Sequence, residues 1–467
     1  MSIYRPELHF TADTGILEAA AGTLCDDSLT PDLPVWHMFY QYKFSPDEPS
    51  RWGHAMSEGN PFDWVECNDA VVATGGETQV RAGSVVAARG GVDLYFTSVT
   101  QAGTSIQVTR AEDLSELCED IDDDFSVSSA FQRRGDVVSD AADFNRFRSP
   151  CVVPGWLHNE DRDQGSAGWL MLAVAGESDN PQVVVLRSGD GDSWKALGEL
   201  EFHGEPGFDA ASESIVAPRL ARLRDEVDAV IYDVLLITLE RGGRDETFYL
   251  VGTLKDNVFT VVTSAQPVDQ GHDFSRPRTT TWTESARSLD QRFNRTYIYG
   301  PLRSSGRDAD LTEEKNWETG GWAGVLSLPR RVTLQNGHIY QTPAPGLPDA
   351  VEETRRAKMW TGICDIPVGS KVVAELLDAH GEPAAVITHC GDAIELDRFD
   401  GTPARAELAE ADEDNITIVV DSSTIEVFAG GGAVVLSSRF WPADGCSGIR
   451  VRSHGDAEIY SEWRRGH

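Results

Sequence analysis

What most limits the fold of this chain is the brevity of its apolar segments and their alternation with polar residues. Trp36–Tyr42, Val92–Val99, Trp169–Ala175, Gln182–Arg187, Val230–Glu240 and Thr247–Leu254 each run for six to eleven residues with a period near two. That period sends successive side chains to opposite faces of a strand, and sustained helical spacing is nearly absent. Turn residues stand between the segments: Arg89-Gly90-Gly91, Ser188-Gly189-Asp190-Gly191-Asp192, Arg241-Gly242-Gly243 and Asn336-Gly337. The last pair suits a two-residue type I′ hairpin. The pattern predicts an all-β protein.

A repeat emerges when the strand ends are compared. Ser57 through Asp63-Trp64-Val65-Glu66, Arg110 through Asp113-Leu114 to Leu117, and Ser188 through Asp190 to Trp194 share one plan. Each sets a small or polar residue, then an acid, then a large apolar residue after a strand. Leu254-Lys255-Asp256-Asn257-Val258-Phe259 is a looser copy. The final apolar positions, 64, 117, 194 and 259, lie 53, 77 and 65 residues apart. Four short strands with loops need about 50 residues, so the interval suits propeller blades. The wide middle interval contains the acidic run Glu119–Asp124, expected to be a solvated loop, with a calcium site as the alternative.

Thr342-Pro343-Ala344-Pro345-Gly346-Leu347-Pro348 and the charged Glu352–Arg356 read as the passage between two domains. The expected division is residues 1–345, a linker over 346–358, and a second domain over 359–467. In the latter, Lys371–Asp378, Ala384–His389, Asn415–Asp421, Thr424–Ala429, Ala433–Ser438 and Ile449–Ser453 alternate cleanly, with Gly430-Gly431-Gly432 turning one hairpin. About 110 residues of this kind make a β-sandwich.

The charge balance excludes several partners. Seventy-six acidic residues against 40 basic ones give a net charge of -36, and only six of the basic residues are Lys. Such a field repels nucleic-acid phosphates and anionic membranes. No window approaches the ~18 apolar residues of a membrane span. The seven cysteines show no C-x-x-C pair, so neither a zinc site nor a disulfide framework is indicated. Met1–His9 lacks a basic start followed by an apolar stretch, and the expected location is cytoplasmic. No H-E-x-x-H occurs, His389-Cys390 beside Asp392 is a poor metal site, and no G-x-S-x-G elbow or phosphate-binding glycine loop is present. No metal or cofactor is expected.

Several motifs, in order along the chain, resemble those of glycoside hydrolase family 32, the invertases, levanases and sucrose-6-phosphate hydrolases. Arg5-Pro6-Glu7-Leu8-His9-Phe10 resembles that family's R-P-x-x-H-F, His37-Met38-Phe39-Tyr40-Gln41 its H-L-F-Y-Q, and Trp52-Gly53-His54-Ala55-Met56-Ser57 its W-G-H-A-x-S. Asp269-Gln270-Gly271-His272-Asp273-Phe274 resembles D-x-G-x-D-F, and Trp322–Arg330 resembles W-A-G-x-x-x-L-P-R. Asp421-Ser422-Ser423-Thr424-Ile425-Glu426-Val427-Phe428 resembles the D-x-S-x-x-E-x-F hairpin. The resemblance covers nearly the whole chain and implies a five-bladed β-propeller followed by a β-sandwich.

The chemistry departs from the family's. Retaining glycosidases set two carboxyl groups ~5–5.5 Å apart, one attacking the anomeric carbon and one protonating the leaving oxygen. Neither role passes to an apolar side chain. The family's W-M-N-D-P-N-G carries the nucleophile and aligns with Ile16–Gly22, so Ala19 holds that position. R-D-P, whose Asp steadies the transition state, aligns with Arg148-Ser149-Pro150, and E-C-P, which carries the acid/base, with Val216-Ala217-Pro218. Two neighbours are candidate substitutes. Glu18 is one residue before Ala19, which on a regular strand faces it away, and Glu213 lies three residues before Val216.

The losses are accompanied by gains of arginine. F-S-G-S becomes Arg81-Ala82-Gly83-Ser84, the Asp after E-C-P becomes Arg219, and D-F-Y-A becomes Asp273-Phe274-Ser275-Arg276. With Arg148, Gln41, Trp52 and Ser84, these form the expected ligand-binding set; Asp273 is expected to be a scaffold acid. Planar guanidinium forks pair with carboxylate or phosphate, so the expected ligand is an anionic sugar. The alternative for Arg81, Arg219 and Arg276 is that they point outward or pair with the abundant acids. The leading expectation is a carbohydrate-binding pseudoenzyme, monomeric or homodimeric. A β-fructofuranosidase-type hydrolase or transferase with displaced carboxylates, and a structural scaffold, stay open.

Overall fold

A computed structural model describes residues 2–28, 33–118, 126–138, 144–156, 162, 167–283, 293–303, 305, 310–409 and 415–466. The run Glu119–Asp124 lies outside the described residues. The expected all-β character holds throughout, and no helix among the described residues is long and apolar enough to cross a membrane.

The first sheet begins as an antiparallel meander of β1 (Gly15–Asp26), β2 (Val35–Lys43), β3 (Arg51–Glu58) and β4 (Val65–Val71). The second is β5 (Glu77–Ala88), β6 (Gly91–Thr100), β7 (Gly103–Ala111) and β8 (Gln132–Val138). The third is β9 (Arg148–Pro154), β10 (Trp169–Ala175), β11 (Gln182–Ser188) and β12 (Lys195–Glu199). In the fourth, the short β13 (Glu201–His203) flanks a meander of β14 (Ile215–Arg224), β15 (Ile231–Arg241), β16 (Arg244–Lys255) and β17 (Val258–Pro267). The chain then returns to the first sheet with β18 (Arg278–Trp282), β19 (Thr296–Tyr299), β20 (Trp322–Ala323), β21 (Arg330–Gln335) and β22 (His338–Pro343). Parallel pairing of Thr23 with Thr280 joins β1 to β18 and makes that sheet nine-stranded.

The sequence repeat now has a structural meaning. Trp64, Leu117 and Trp194 each lie between the third and fourth strand of a sheet, and Phe259 lies at the start of a fourth strand. Asn336-Gly337 forms the expected two-residue hairpin, pairing Gln335 with His338, with both turn residues at positive φ (50° and 74°).

Beyond residue 357 two five-stranded sheets share one core. Their strands are β23 (Lys358–Asp365), β24 (Lys371–Asp378), β25 (Pro383–His389), β26 (Ala393–Asp397), β27 (Ala404–Glu407), β28 (Asn415–Asp421), β29 (Thr424–Ala429), β30 (Val434–Arg439), β31 (Cys446–His454) and β32 (Glu458–Arg465). One sheet runs β30-β29-β28-β23-β32 and the other β27-β26-β25-β24-β31. Trp360, Ile418 and Val427 from the first meet Leu376, Ile387 and Leu396 from the second. Each such burial is worth ~1.5–3 kcal/mol relative to exposure. The segment expected to be a plain linker carries the helix Leu347–Glu353, whose buried Leu347, Ala350 and Val351 pack on the core around Phe10 and Tyr40.

Two buried polar networks tie the halves together. Asp421 accepts the backbone N–H groups of Leu8 (2.8 Å) and His9 (3.0 Å) and contacts the His9 ring at 3.0 Å. Glu426 reaches the other His9 nitrogen at 3.2 Å, the Leu328 N–H at 2.6 Å and Arg330 Nε at 3.0 Å. Arg330, fully buried, pairs with Asp269 at 2.9 Å and lies over the Phe274 ring. The second network is a backbone latch. Gln270 and His272 donate their N–H groups to the carbonyls of Val435 and Ser437 on β30, and Ser437 N–H donates back to the Asp269 carboxylate at 3.0 Å. A Cβ on Gly271 would stand 2.2 Å from Ser437 N, which is why this position is glycine. Asp273 accepts from Arg439 N–H (2.8 Å) and Arg398 (2.7 Å), the scaffold role expected for it.

Candidate functional site

The innermost strands β1, β5, β9 and β14 share an irregularity. Each carries one residue more than its partner strand at one place or, in β1 and β5, at two. In β1 the register steps from Leu17–Tyr42 to Ala19–Gln41, leaving Glu18 as the extra residue. In β5 the slip falls between Arg81 and Ser84, in β9 between Arg148 and Cys151, and in β14 between Val216 and Arg219. A bulge interrupts the ladder and re-aims the side chains beside it. These four bulges border one cavity of about 330 Å³. Three of its non-glycine residues, Ser149 (φ 54°), Ala217 (φ 47°) and Arg276 (φ 42°), sit in the left-handed region. Such residues cost ~1–3 kcal/mol each and gather at functional sites.

The cavity collects part of the expected set. Ala19, Ser149, Val216, Gln41, Arg81, Arg148 and Arg276 all line it. Glu18 does too, which corrects the expectation that it faces away: alternation fails where the bulge adds a residue. Its carboxylate accepts from Gln41 (2.6 Å) and Ser50 (2.6 Å) and stands 3.5 Å from Lys43 Nζ. Gln41 also accepts the Ala82 N–H at 2.6 Å, so β1, β2 and β5 are fixed through one amide.

Four expected site residues lie elsewhere. Trp52 is fully buried against Phe96 in the core between the first two sheets. Ser84 exchanges hydrogen bonds with the Val152 backbone, joining β5 to β9. Arg219 is buried with its guanidinium directed at the carbonyls of Gly83, Ser149, Pro150 and Pro218, at 2.7–3.4 Å. It stitches three inner strands, and burial lowers its pKa. Glu213 is absent from the cavity wall and is clamped by Arg241 at 2.5 Å, which holds its carboxyl below the usual range.

Other residues complete the wall without having been singled out from sequence: Lys43, Arg278, Arg303 and Asp245. Arg278 follows Arg276 by two residues, the strand period that shares a face, and this signal was readable. Asp245 holds Arg276 bidentately (2.6 and 2.9 Å), with Glu240 at 2.9 Å from the same guanidinium. Burial alone would lower the Arg276 pKa, but these carboxylates outweigh it and raise it. For Arg278, burial dominates, Arg219 and Arg276 add repulsion, and the pKa falls well below the arginine range. Burial also lowers that of Arg303, against the attraction of Glu18. Among the described residues the wall thus sets Lys43, Arg81, Arg148, Arg276, Arg278 and Arg303 against only Glu18 and Asp245.

The chain is an all-β protein with a bulge-rimmed cavity among its inner strands and a two-sheet domain behind it, and comparisons with known proteins specify its family. The glycosyl hydrolases family 32 N-terminal domain matches residues 27–343, and the family 32 C-terminal domain matches residues 386–463. The chain belongs to glycoside hydrolase family 32. It is 23% identical to a sucrose-6-phosphate hydrolase of Bacillus subtilis, over 98% of this chain and 93% of that one. It is 24% identical to a raffinose invertase of Escherichia coli, over 90% and 88% respectively. A Bombyx mori family 32 β-fructofuranosidase superposes with a TM-score of 0.74 at 21% identity, covering 99% of this chain and 94% of that one. Likeness at that identity establishes the shared fold.

Proposed function

We propose that this chain is a non-hydrolytic member of family 32 that binds an anionic carbohydrate in its central cavity. The observation that carries the reading is the composition of the wall. Ala19, Ser149 and Val216, which we align with the family pattern's three carboxylates, line the cavity, and cations outnumber carboxylates around them. The architecture we read is five-bladed: β1, β5, β9, β14 and β18 follow one another around the cavity, each touching the next. The nine-stranded sheet then counts as two blades joined by the β1–β18 pairing, and the domain limits stay at 1–345 and 359–467. Sucrose 6-phosphate, named for the Bacillus relative, is the first anionic sugar to try.

The test is a reducing-sugar assay on sucrose, sucrose 6-phosphate, inulin and levan beside calorimetric titration of the same compounds. Binding of a phosphorylated sugar without turnover supports the reading; turnover at rates ordinary for enzymes, ~1–1,000 s⁻¹, sinks it. One observation favours a second reading, a fructosidase with a displaced nucleophile: the β1 bulge brings Glu18 into the cavity. Turnover abolished by Glu18→Gln would establish that reading. Glu213, paired with Arg241, has no such part.

A further inference from the structure

Arg278 is a buried cation without a countercharge. It is only 5% exposed, and its Nη1 donates to the carbonyls of Arg276 (3.0 Å) and Pro277 (3.1 Å). Its Nε is buried without a hydrogen-bond partner, and among the described residues no carboxylate pairs with it. Its charged neighbours, Arg219 and Arg276, repel it. Arg219 is held by carbonyls and the Cys151 side chain and, among the described residues, by no carboxylate, whereas Arg276 is matched by Asp245 and Glu240. Buried charges in folded proteins are ordinarily paired, because removing an ion from water costs more than dipoles return. Here the cavity wall keeps a guanidinium whose Nε and Nη2 are unspent.

We propose that Arg278 anchors an oxyanion, carboxylate or phosphate, borne by a ligand of about one sugar ring. This deepens the reading of the cavity given above and rests on it. Nε is sealed from the cavity and Nη1 is taken by two carbonyls, so Nη2 is the donor left for such a group, and guanidinium N–H groups pair well with carboxylate and phosphate. Arg148 and Arg303 border the same space and add to the positive field. Size limits the rest of the ligand. Small-molecule pockets run from ~300 to 1,000 Å³, and about 330 Å³ is near the lower bound, room for about one sugar ring inside the cavity. The bound anion supplies the missing countercharge, so ligand affinity and protein stability are linked through this one residue.

The test uses the full chain, with melting temperature and calorimetric affinity as readouts. Inorganic phosphate, fructose 6-phosphate and gluconate serve as anionic probes, and fructose as the neutral one. The expected result is that at least one anion raises the melting temperature and binds more tightly than fructose. Preference for fructose 6-phosphate or for gluconate identifies the phosphate or the carboxylate as the anionic group. Arg278→Met should weaken that anion roughly 10- to 100-fold and raise the ligand-free melting temperature. If Arg278→Met does not fold, the wild-type comparison of fructose with the three anions still decides: the proposal is overturned when none of them binds more tightly than fructose. An anion effect that survives Arg278→Met overturns it as well. The two readings fail separately. Turnover of a sugar overturns the non-hydrolytic function while Arg278-dependent anion affinity stands, and fructose binding without anion preference does the reverse.

Discussion

Removing the Glu426 carboxylate should cost this protein a large share of its stability. That carboxylate is fully buried and serves three partners: Arg330 Nε at 3.0 Å, the Leu328 N–H at 2.6 Å and the His9 ring at 3.2 Å. In Glu426→Ala the buried Arg330 keeps only Asp269, at 2.9 Å, as a charged partner. Breaking one side of a buried pair costs ~3–5 kcal/mol. The orphaned Leu328 N–H adds ~1–3 kcal/mol. The two share a site and do not sum fully, so the expected loss is about 4–6 kcal/mol, against a total of ~5–15 kcal/mol for a typical domain. Scanning calorimetry suits the measurement, because two domains need not unfold in one transition. The charge argument makes a sharper demand of the double substitution Arg330→Met with Glu426→Leu. It also strips Asp269 of its guanidinium, leaving that buried carboxylate unmatched, and should be more destabilised than Glu426→Ala alone. A Glu426→Ala protein within ~1 kcal/mol of wild type, or a double variant more stable than the single, would refute the reasoning.

Three further outcomes follow from the same geometry. Burial alone would lower the His9 pKa, but Asp421 and Glu426 raise it above the ordinary histidine value. The stabilisation from His9 is therefore full below about pH 6.5, its unfolded value, and is lost as pH rises through the folded value; urea midpoints from pH 6 to 9 should fall in the wild type and flatten in His9→Gln. Gly271→Ala forces a Cβ against the Ser437 backbone nitrogen, 2.2 Å away, and should cost ~1–3 kcal/mol or more by thermal melting. Glu18→Ala removes one of the two carboxylates of the cavity wall and should tighten fructose 6-phosphate binding in calorimetry, with stability changed by less than ~1 kcal/mol.

How far the site was legible depends on backbone regularity. Hairpins such as Asn336-Gly337 and the third-to-fourth strand repeat could be read because turn chemistry and strand period are local. Gln41, Ala19, Ser149 and Val216 reach the cavity as the family motifs imply. Glu18, Ser84 and Arg219 were misplaced because each adjoins a bulge, and one extra residue reverses the facing of everything beyond it. Bulges leave no compositional mark in these strands. Trp52 went astray differently: on β3, one strand removed from the β1–β2 pair, a tryptophan packs into the core between sheets. Arg278 and Asp245 were passed over because pairing across distant strands, not local pattern, gives them their place.

The latch between residues 269–273 and β30 bears on how this architecture can be inherited. The segment that ends in Arg276 and Arg278 is held by backbone hydrogen bonds from the opposite domain, and Gly271 leaves no slack between them. A recombination joint in the helix Leu347–Glu353 would look harmless, since few strands cross it. Yet it would part Arg276 and Arg278 from the strand that shapes their loop. The heritable module therefore runs from that loop to β30, and the second domain travels with the cavity as one of its walls does.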